Sequence, residues 1–282
     1  MAGAREASEI YAPGVLAGQV ALVTGGGTGL GRATALELAR CGATVVIAGR
    51  REDVLEETVS DAAGLPGALD ALVGDIREPA EVRRMLGEVL ARHGRLELLV
   101  NNAGGQFFSP AELISANGWR AVWRLNVGGM LNMSEAAYEL AFAPAGGGTI
   151  VNVTLSPHNG MPGMAHSGSA RATVEALTRE LAERWCDAGV TVAAVAVGVF
   201  ATDALRKYPV NVQSGMSRTV PLQRLGMVEE HAWLVALLSS PLADALNGST
   251  ITIDGARDNW WGSWPPPGLA DESGAVPVEE RK

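Results

Sequence analysis

Residues 20 to 31 read Val-Ala-Leu-Val-Thr-Gly-Gly-Gly-Thr-Gly-Leu-Gly, and no other stretch limits the possible folds as tightly. An apolar run, Val20 to Val23, stops at a turn in which five of the seven positions from Gly25 to Gly31 are glycine. An amphipathic stretch, Arg32 to Arg40, follows. Buried strand, tight turn and helix in that order place free backbone N–H groups and the positive end of a helix at the end of a strand, which suits a pyrophosphate. Gly25 lets the chain turn, Gly29 lets backbone approach phosphate, and Gly31 lets the helix pack close to the sheet. Thr28 and Leu30 lie in the same cradle.

Glycine-rich turns also occur without ligands, so a second signal is needed. Thr44-Val-Val-Ile-Ala48 reads as the next strand, closed by Gly49-Arg50-Arg51. In a dinucleotide fold an acid at this point would hold the 2′-hydroxyl of NAD. Here the chain offers glycine and two arginines, which suits the 2′-phosphate of NADP. The plainer alternative for Arg50 and Arg51 is a solvated helix start.

The chain has 282 residues, of which 47% are hydrophobic and 19% charged. That balance supplies a substantial core and is unlike a disordered composition. A formal net charge of −9 argues against a nucleic-acid partner, which needs a basic face. The two cysteines, Cys41 and Cys186, lie far apart beside helices and read as packing residues, not as a disulfide or a metal site. No apolar run is long enough to span a bilayer, and Met1 to Gly18 has no apolar signal region. The expectation is a cytoplasmic protein with no membrane partner.

From Gly18 apolar runs alternate with amphipathic stretches. The spacing predicts strands over 19–24, 44–48, 70–74, 97–101, 149–154, 191–196 and 250–253, and helices over 29–41, 52–63, 79–93, 110–143, 164–188 and 228–239. This alternation predicts an α/β fold: a single-domain Rossmann-type doubly wound parallel sheet over 18–257, with helices on both faces. Residues 1–17 read as a mobile or peripheral arm. Asp75 and Ile76 follow the third strand, and Asn102, Ala103 and Gly104 follow the fourth, all at the sheet edge where ligands bind. Residues 200 to 225, of weak periodicity, read as a lid. The tail, 258–282, holds three of the seven tryptophans beside a proline run, and should dock on its own or a neighbouring subunit.

These residues resemble the short-chain dehydrogenase/reductase family. Thr24-Gly25-x-x-x-Gly29-x-Gly31 matches its cofactor motif, Asn101-Asn-Ala-Gly104 its fourth-strand motif, and Asn126 in Leu-Asn-Val its helix asparagine. Pro221-Leu-Gln-Arg-Leu-Gly226 and Ile253-Asp-Gly255 fit as well. The resemblance implies a nicotinamide cofactor, taken with Arg50 and Arg51 to be NADP(H). It also implies a homotetramer or homodimer, and further cofactor contacts from Gly198, Val199 and Thr202. The loop reads Val197-Gly198 where the family usually has proline-glycine.

The departure from the family bears on the chemistry. The family's reacting group is a tyrosine, with a lysine one helical turn later and a serine upstream. Aligned on the following helix, this chain holds Ser167 at the tyrosine position and Arg171 at the lysine position. The upstream serine position falls on Thr154 or Leu155, with Ser156 adjacent, and Tyr11, Tyr138 and Tyr208 lie elsewhere. A phenol of pKa ~10 can be drawn toward neutrality by a nearby cation and exchange a proton at a carbonyl oxygen. A serine hydroxyl is a far weaker acid, but it can donate a hydrogen bond to a developing oxyanion. Reduction of an α,β-unsaturated thioester needs that. Arg171 keeps a permanent charge and can hold the nicotinamide ribose, without copying lysine's geometry. His158 and His166 are the titratable groups nearby, and His166 is a candidate proton donor if it faces the nicotinamide.

His166-Ser-Gly-Ser-Ala-Arg171, with Asn102 to Glu112 upstream, resembles the peroxisomal trans-2-enoyl-CoA reductases. It is similar, more loosely, to the 2,4-dienoyl-CoA reductases, which also carry serine at the tyrosine position. Those enzymes supply a tyrosine upstream, where an ungapped reading of this chain puts Ser156, which speaks against a dienoyl mechanism. The Trp-Pro-Pro-Pro tail is weakly similar to bacterial relatives assigned to terpenoid alcohol breakdown. Three readings follow. The first is an NADP(H)-dependent reductase of an activated C=C bond on a small-molecule substrate such as an acyl thioester. The second is an alcohol or carbonyl dehydrogenase, for example of a terpenoid, with an atypical proton relay. The third is a cofactor-binding protein without catalysis.

Overall fold

Seven strands pair in parallel in the order β3-β2-β1-β4-β5-β6-β7. They are β1 (Val20–Thr24), β2 (Thr44–Gly49), β3 (Ala68–Val73), β4 (Leu98–Asn101), β5 (Gly148–Leu155), β6 (Val190–Val197) and β7 (Thr250–Ile253). The computed structural model describes residues 6–156, 163–203, 205 and 215–259. His158, Tyr208, residues 206–214 of the expected lid and the tail from residue 260 lie outside the described residues.

Alternation along the strands divides the core. Ala21, Val23, Val45 and Ile47 face one side, where they meet Leu36 and Leu38 of α1 (Gly29–Arg40), Leu55 of α2 (Glu52–Asp61) and Val235 of the late helix Val228–Leu238. Val20, Leu22 and Val46 face the other side, against Met85 and Leu86 of α3 (Pro79–His93). The strands are therefore apolar on both faces, as a parallel sheet between two helical layers requires. Strand order reverses at the β1–β4 boundary, and this brings the glycine turn beside Asn102.

The stretch expected as one helix over 110–143 is broken. A 3₁₀ turn, Ala111–Leu113, precedes α4 (Ala116–Trp123), which starts where the Ser115 hydroxyl accepts from the Gly118 N–H at 3.1 Å. A π turn, Arg124–Gly128, leads into α5 (Gly129–Ala137), and a second, Tyr138–Phe142, into α6 (Ala143–Ala145). The first π turn carries Asn126, a common use of such bulges at functional sites. The next helix is α7 (Ala165–Trp185), and the late helix is α8 (Val228–Leu238).

The described part of the N-terminal arm is peripheral but tied down. Leu16 is buried, the Ser8 hydroxyl donates to Glu37 at 2.5 Å, and the Tyr11 hydroxyl donates to the Trp233 carbonyl at 2.7 Å. Cys41 is buried and Cys186 is exposed, both as free thiols. None of the described helices is long and apolar enough to cross a membrane.

Candidate active site

A cleft of about 490 Å³ opens at the C-terminal ends of β1, β2, β3 and β4. Gly25, Thr28, Arg50, Arg51, Asp75, Ile76, Asn102, Ala103 and Gly104 line it, together with Gly27, Val54, Leu55 and Leu125, which the motif reading did not single out. The cradle depends on missing side chains. A Cβ on Gly31 would lie 2.3 Å from the Gly25 carbonyl oxygen, and one on Gly25, at φ +67°, would lie 3.0 Å from the Ala103 Cα. The Asn102 side-chain amide donates to the Thr24 carbonyl at 2.9 Å, locking the β4 loop to the turn. Thr202 stands 3.5 Å from the Cβ position of Gly29, so the loop after β6 overhangs the turn. Leu30 packs against the core, so only its backbone serves the turn. These features fit a dinucleotide, its phosphates at the N-terminus of α1.

Arg50 and Arg51 are exposed at the cleft wall. Asp75 is paired with Arg77, whose hydrogen bonds hold its carboxyl down at about 2, with a smaller contribution from the Arg50 charge. It is therefore an acceptor at any working pH.

On the far side of Gly104 sit the altered residues. Ser167 is fully buried and its hydroxyl donates to Gln106 Oε1 at 2.6 Å. Arg171, one turn later on α7, is half-buried, and desolvation of its guanidinium pushes its pKa down to about 10, so it stays charged at neutral pH. Its Nη1 donates to the Val153 carbonyl at 2.8 Å, while Nε has no hydrogen-bond partner among the described residues. Gly104 leaves the space that the guanidinium fills. A Cβ there would meet Arg171 Nη2 at 2.3 Å and Asn126 Oδ1 at 2.7 Å. Asn126 accepts from the Gly105 N–H at 3.1 Å and donates to the Gly105 and Val122 carbonyls at 2.8 and 2.9 Å. The π turn thus fixes the β4 loop through both the oxygen and the nitrogen of one side-chain amide.

The other sequence candidates are placed differently. Thr154 donates to the Arg171 backbone carbonyl at 3.1 Å, and Ser156 donates to Asp254 Oδ2 at 2.5 Å. Their hydroxyls tie β5 to α7 and to the end of β7. His166 packs edge to face against Phe107 and Trp119. Gly198 donates its N–H to Ile253 at 3.0 Å and lies against Asp254, and Val199 accepts from Gly226 at 2.9 Å. These contacts brace the loop in which valine replaces the usual proline. Gln106 was missed from the sequence. Its signal is a lone polar side chain between a strand-end motif and two phenylalanines.

The family model described as enoyl-(acyl carrier protein) reductase matches residues 25–256. The chain is 34% identical over 253 residues to a peroxisomal 2,4-dienoyl-CoA reductase of Danio rerio, covering 88% of this chain and 84% of that protein. It is 36% identical over 273 residues to the enzyme so named in Pongo abelii, covering 93% and 91%. Among solved structures, a citronellol catabolism dehydrogenase of Pseudomonas aeruginosa PAO1 is 39% identical, with a TM-score of 0.80 over 90% of this chain and 100% of that one.

Proposed function

The chain belongs to the short-chain dehydrogenase/reductase family, and from that premise we propose that it is an NADPH-dependent reductase of the activated C=C bond of an enoyl thioester. The observation that carries this reading is the buried Ser167 hydroxyl, one turn from the charged Arg171, where a carbonyl reductase would need a stronger acid. When bound, the cofactor supplies hydride at its nicotinamide C4.

Each residue then has a physical task. Gly25, Gly29 and the N-terminus of α1 would hold the pyrophosphate, and Arg50 and Arg51 would take the 2′-phosphate. Arg171 would hold the nicotinamide ribose and add a positive field beside the developing anion. Asn126 holds Gly105, and with it the wall around Arg171. Ser167 has one proton and two acceptor positions. Rotation of the Ser167 hydroxyl away from Gln106 Oε1 turns its proton to the thioester oxygen. A prepositioned donor of this kind strengthens as charge collects on that oxygen. Water or another acid protonates the remaining carbon. Two of the similar proteins, named 2,4-dienoyl-CoA reductases, act by name on a dienoyl thioester.

A second reading rests on the citronellol catabolism dehydrogenase, the relative of 39% identity: oxidation of a terpenoid alcohol. It requires a group able to accept the alcohol proton, and Ser167 hydrogen-bonded to an amide is a poor one. The test is steady-state kinetics with NADPH on an enoyl-CoA and on a matched ketone, with the reverse reaction run on citronellol and NADP⁺. The proposal requires faster reduction of the enoyl thioester. A preference for the ketone or the alcohol replaces it with the second reading, and no turnover of any of them leaves a cofactor-binding protein.

A further inference from the structure

Where α7 begins, residues grip the loop after β4 in register. Ser167 donates to Gln106 at 2.6 Å. His166 meets the ring of Phe107 edge to face, centroids 4.3 Å apart, and that of Trp119 at 6.0 Å. The Ser109 amide donates to the Gly163 carbonyl at 2.8 Å. Ser167 and His166 thus pair with the adjacent Gln106 and Phe107, and Gly163, just before α7, pairs with Ser109.

Within this clasp His166 is fully buried, and neither ring nitrogen has a hydrogen-bond partner among the described residues. A group that exchanges protons in a reaction must reach the substrate or a water. This imidazole reaches aromatic edges instead. We infer that His166 is a positioning residue: its ring, not its proton, holds Phe107 in place, and through Phe107 it sets the neighbouring Gln106 that orients the Ser167 hydroxyl. The inference rests on the reading of Ser167 as the donor to the substrate oxygen. It turns His166 from a candidate acid into an aromatic wedge, for which phenylalanine is an adequate substitute and alanine is not.

The test uses the full chain with His166→Phe, His166→Ala, Phe107→Ala and the His166→Ala/Phe107→Ala pair. Two readouts are taken: kcat and its pH profile for enoyl-CoA reduction, and hydrogen exchange at the Ser109 amide. His166→Phe should keep kcat within about threefold and leave the pH profile unchanged, while His166→Ala loses about tenfold, the scale of an aromatic pair. The double variant should be no worse than the poorer single one, because both remove the same contact. The Ser109 amide should exchange faster in His166→Ala and at the wild-type rate in His166→Phe. Loss of activity in His166→Phe with a changed pH profile would overturn the inference in favour of a proton donor. Additive single effects, or Ser109 exchange that ignores His166, would overturn the clasp. The exchange readout needs no substrate, so it decides the clasp even if wild type fails to reduce enoyl-CoA, a failure that counts against the function alone.

Discussion

Gly104→Ala is the smallest change that should disable the site. The added methyl would lie 2.3 Å from Arg171 Nη2, 2.7 Å from Asn126 Oδ1 and 3.2 Å from Arg171 Cζ. An unstrained contact needs about 3.5 Å, so the shortfall at the guanidinium is about 1 Å. Asn126 cannot give way, because it is buried and held by three hydrogen bonds. The guanidinium must therefore swing, at the expense of its bond to the Val153 carbonyl. Overpacking of this kind costs roughly 1–3 kcal/mol of stability, or a few degrees of Tm per kcal/mol for a chain of this size. A misplacement of about 1 Å beside the reacting atoms costs about 10² in rate. Lysine at 171 has no second terminal nitrogen to collide, so Gly104→Ala/Arg171→Lys should be better than the two single effects combined. Thermal melts and kcat for the four proteins of this cycle are the assay. A Gly104→Ala protein with wild-type Tm and kcat would refute the packing argument.

Arg50→Ala should reduce the preference for NADPH over NADH by roughly ten- to hundredfold, the loss of one charge-assisted bond of ~1.5–3 kcal/mol; titrating both cofactors checks it, and an unchanged preference moves the 2′-phosphate elsewhere. Burial lowers the pKa of His231, on α8, from 6.5 to about 4, with neither ring nitrogen hydrogen-bonded among the described residues. Between those values the unfolded chain binds the extra proton, so this contribution is complete above pH 6.5 and is lost as pH falls toward 4, by roughly 3 kcal/mol in total. Urea titrations at pH 7.5 and 4.5 should show a steeper decline for wild type than for His231→Leu, and equal declines would contradict the burial argument. Gly148→Ala would place a methyl 2.2 Å from the buried Phe142 ring and should destabilise by roughly 1–3 kcal/mol without changing cofactor affinity; an unaltered Tm would show that the ring yields.

Much of the fold was legible because it rests on local signals. Apolar runs, glycines and caps fix strands and helices from nearest neighbours, and the seven expected strands match the sheet within two residues at each end. The helix expected over 110–143 failed because Ser115 and the Asn126 bulge answer to hydrogen bonds with specific partners, not to periodicity. The glycine turn between β1 and α1 was legible for the same reason as the strands: its glycines act through the backbone. Side-chain roles were not. Ser156, Thr154 and His166 are all polar residues beside the site, and only the long-range partners Asp254, the Arg171 carbonyl and Phe107 show where each is spent. Gln106 could not be paired with Ser167 from the chain alone, since 61 residues separate them.

The central claim is that hydride reaches carbon of a C=C bond while Ser167 holds the thioester oxygen. Reduction of an enoyl-CoA with NADPH deuterated at C4, in wild type and in Ser167→Ala, tests it directly. The account predicts deuterium at the β-carbon of a saturated acyl thioester, a rate lower by about 10²–10³ in Ser167→Ala, and nearly unchanged NADPH affinity in that variant. Deuterium on a carbinol carbon from a ketone substrate, with the enoyl thioester untouched, or a Ser167→Ala enzyme of full activity, would contradict it.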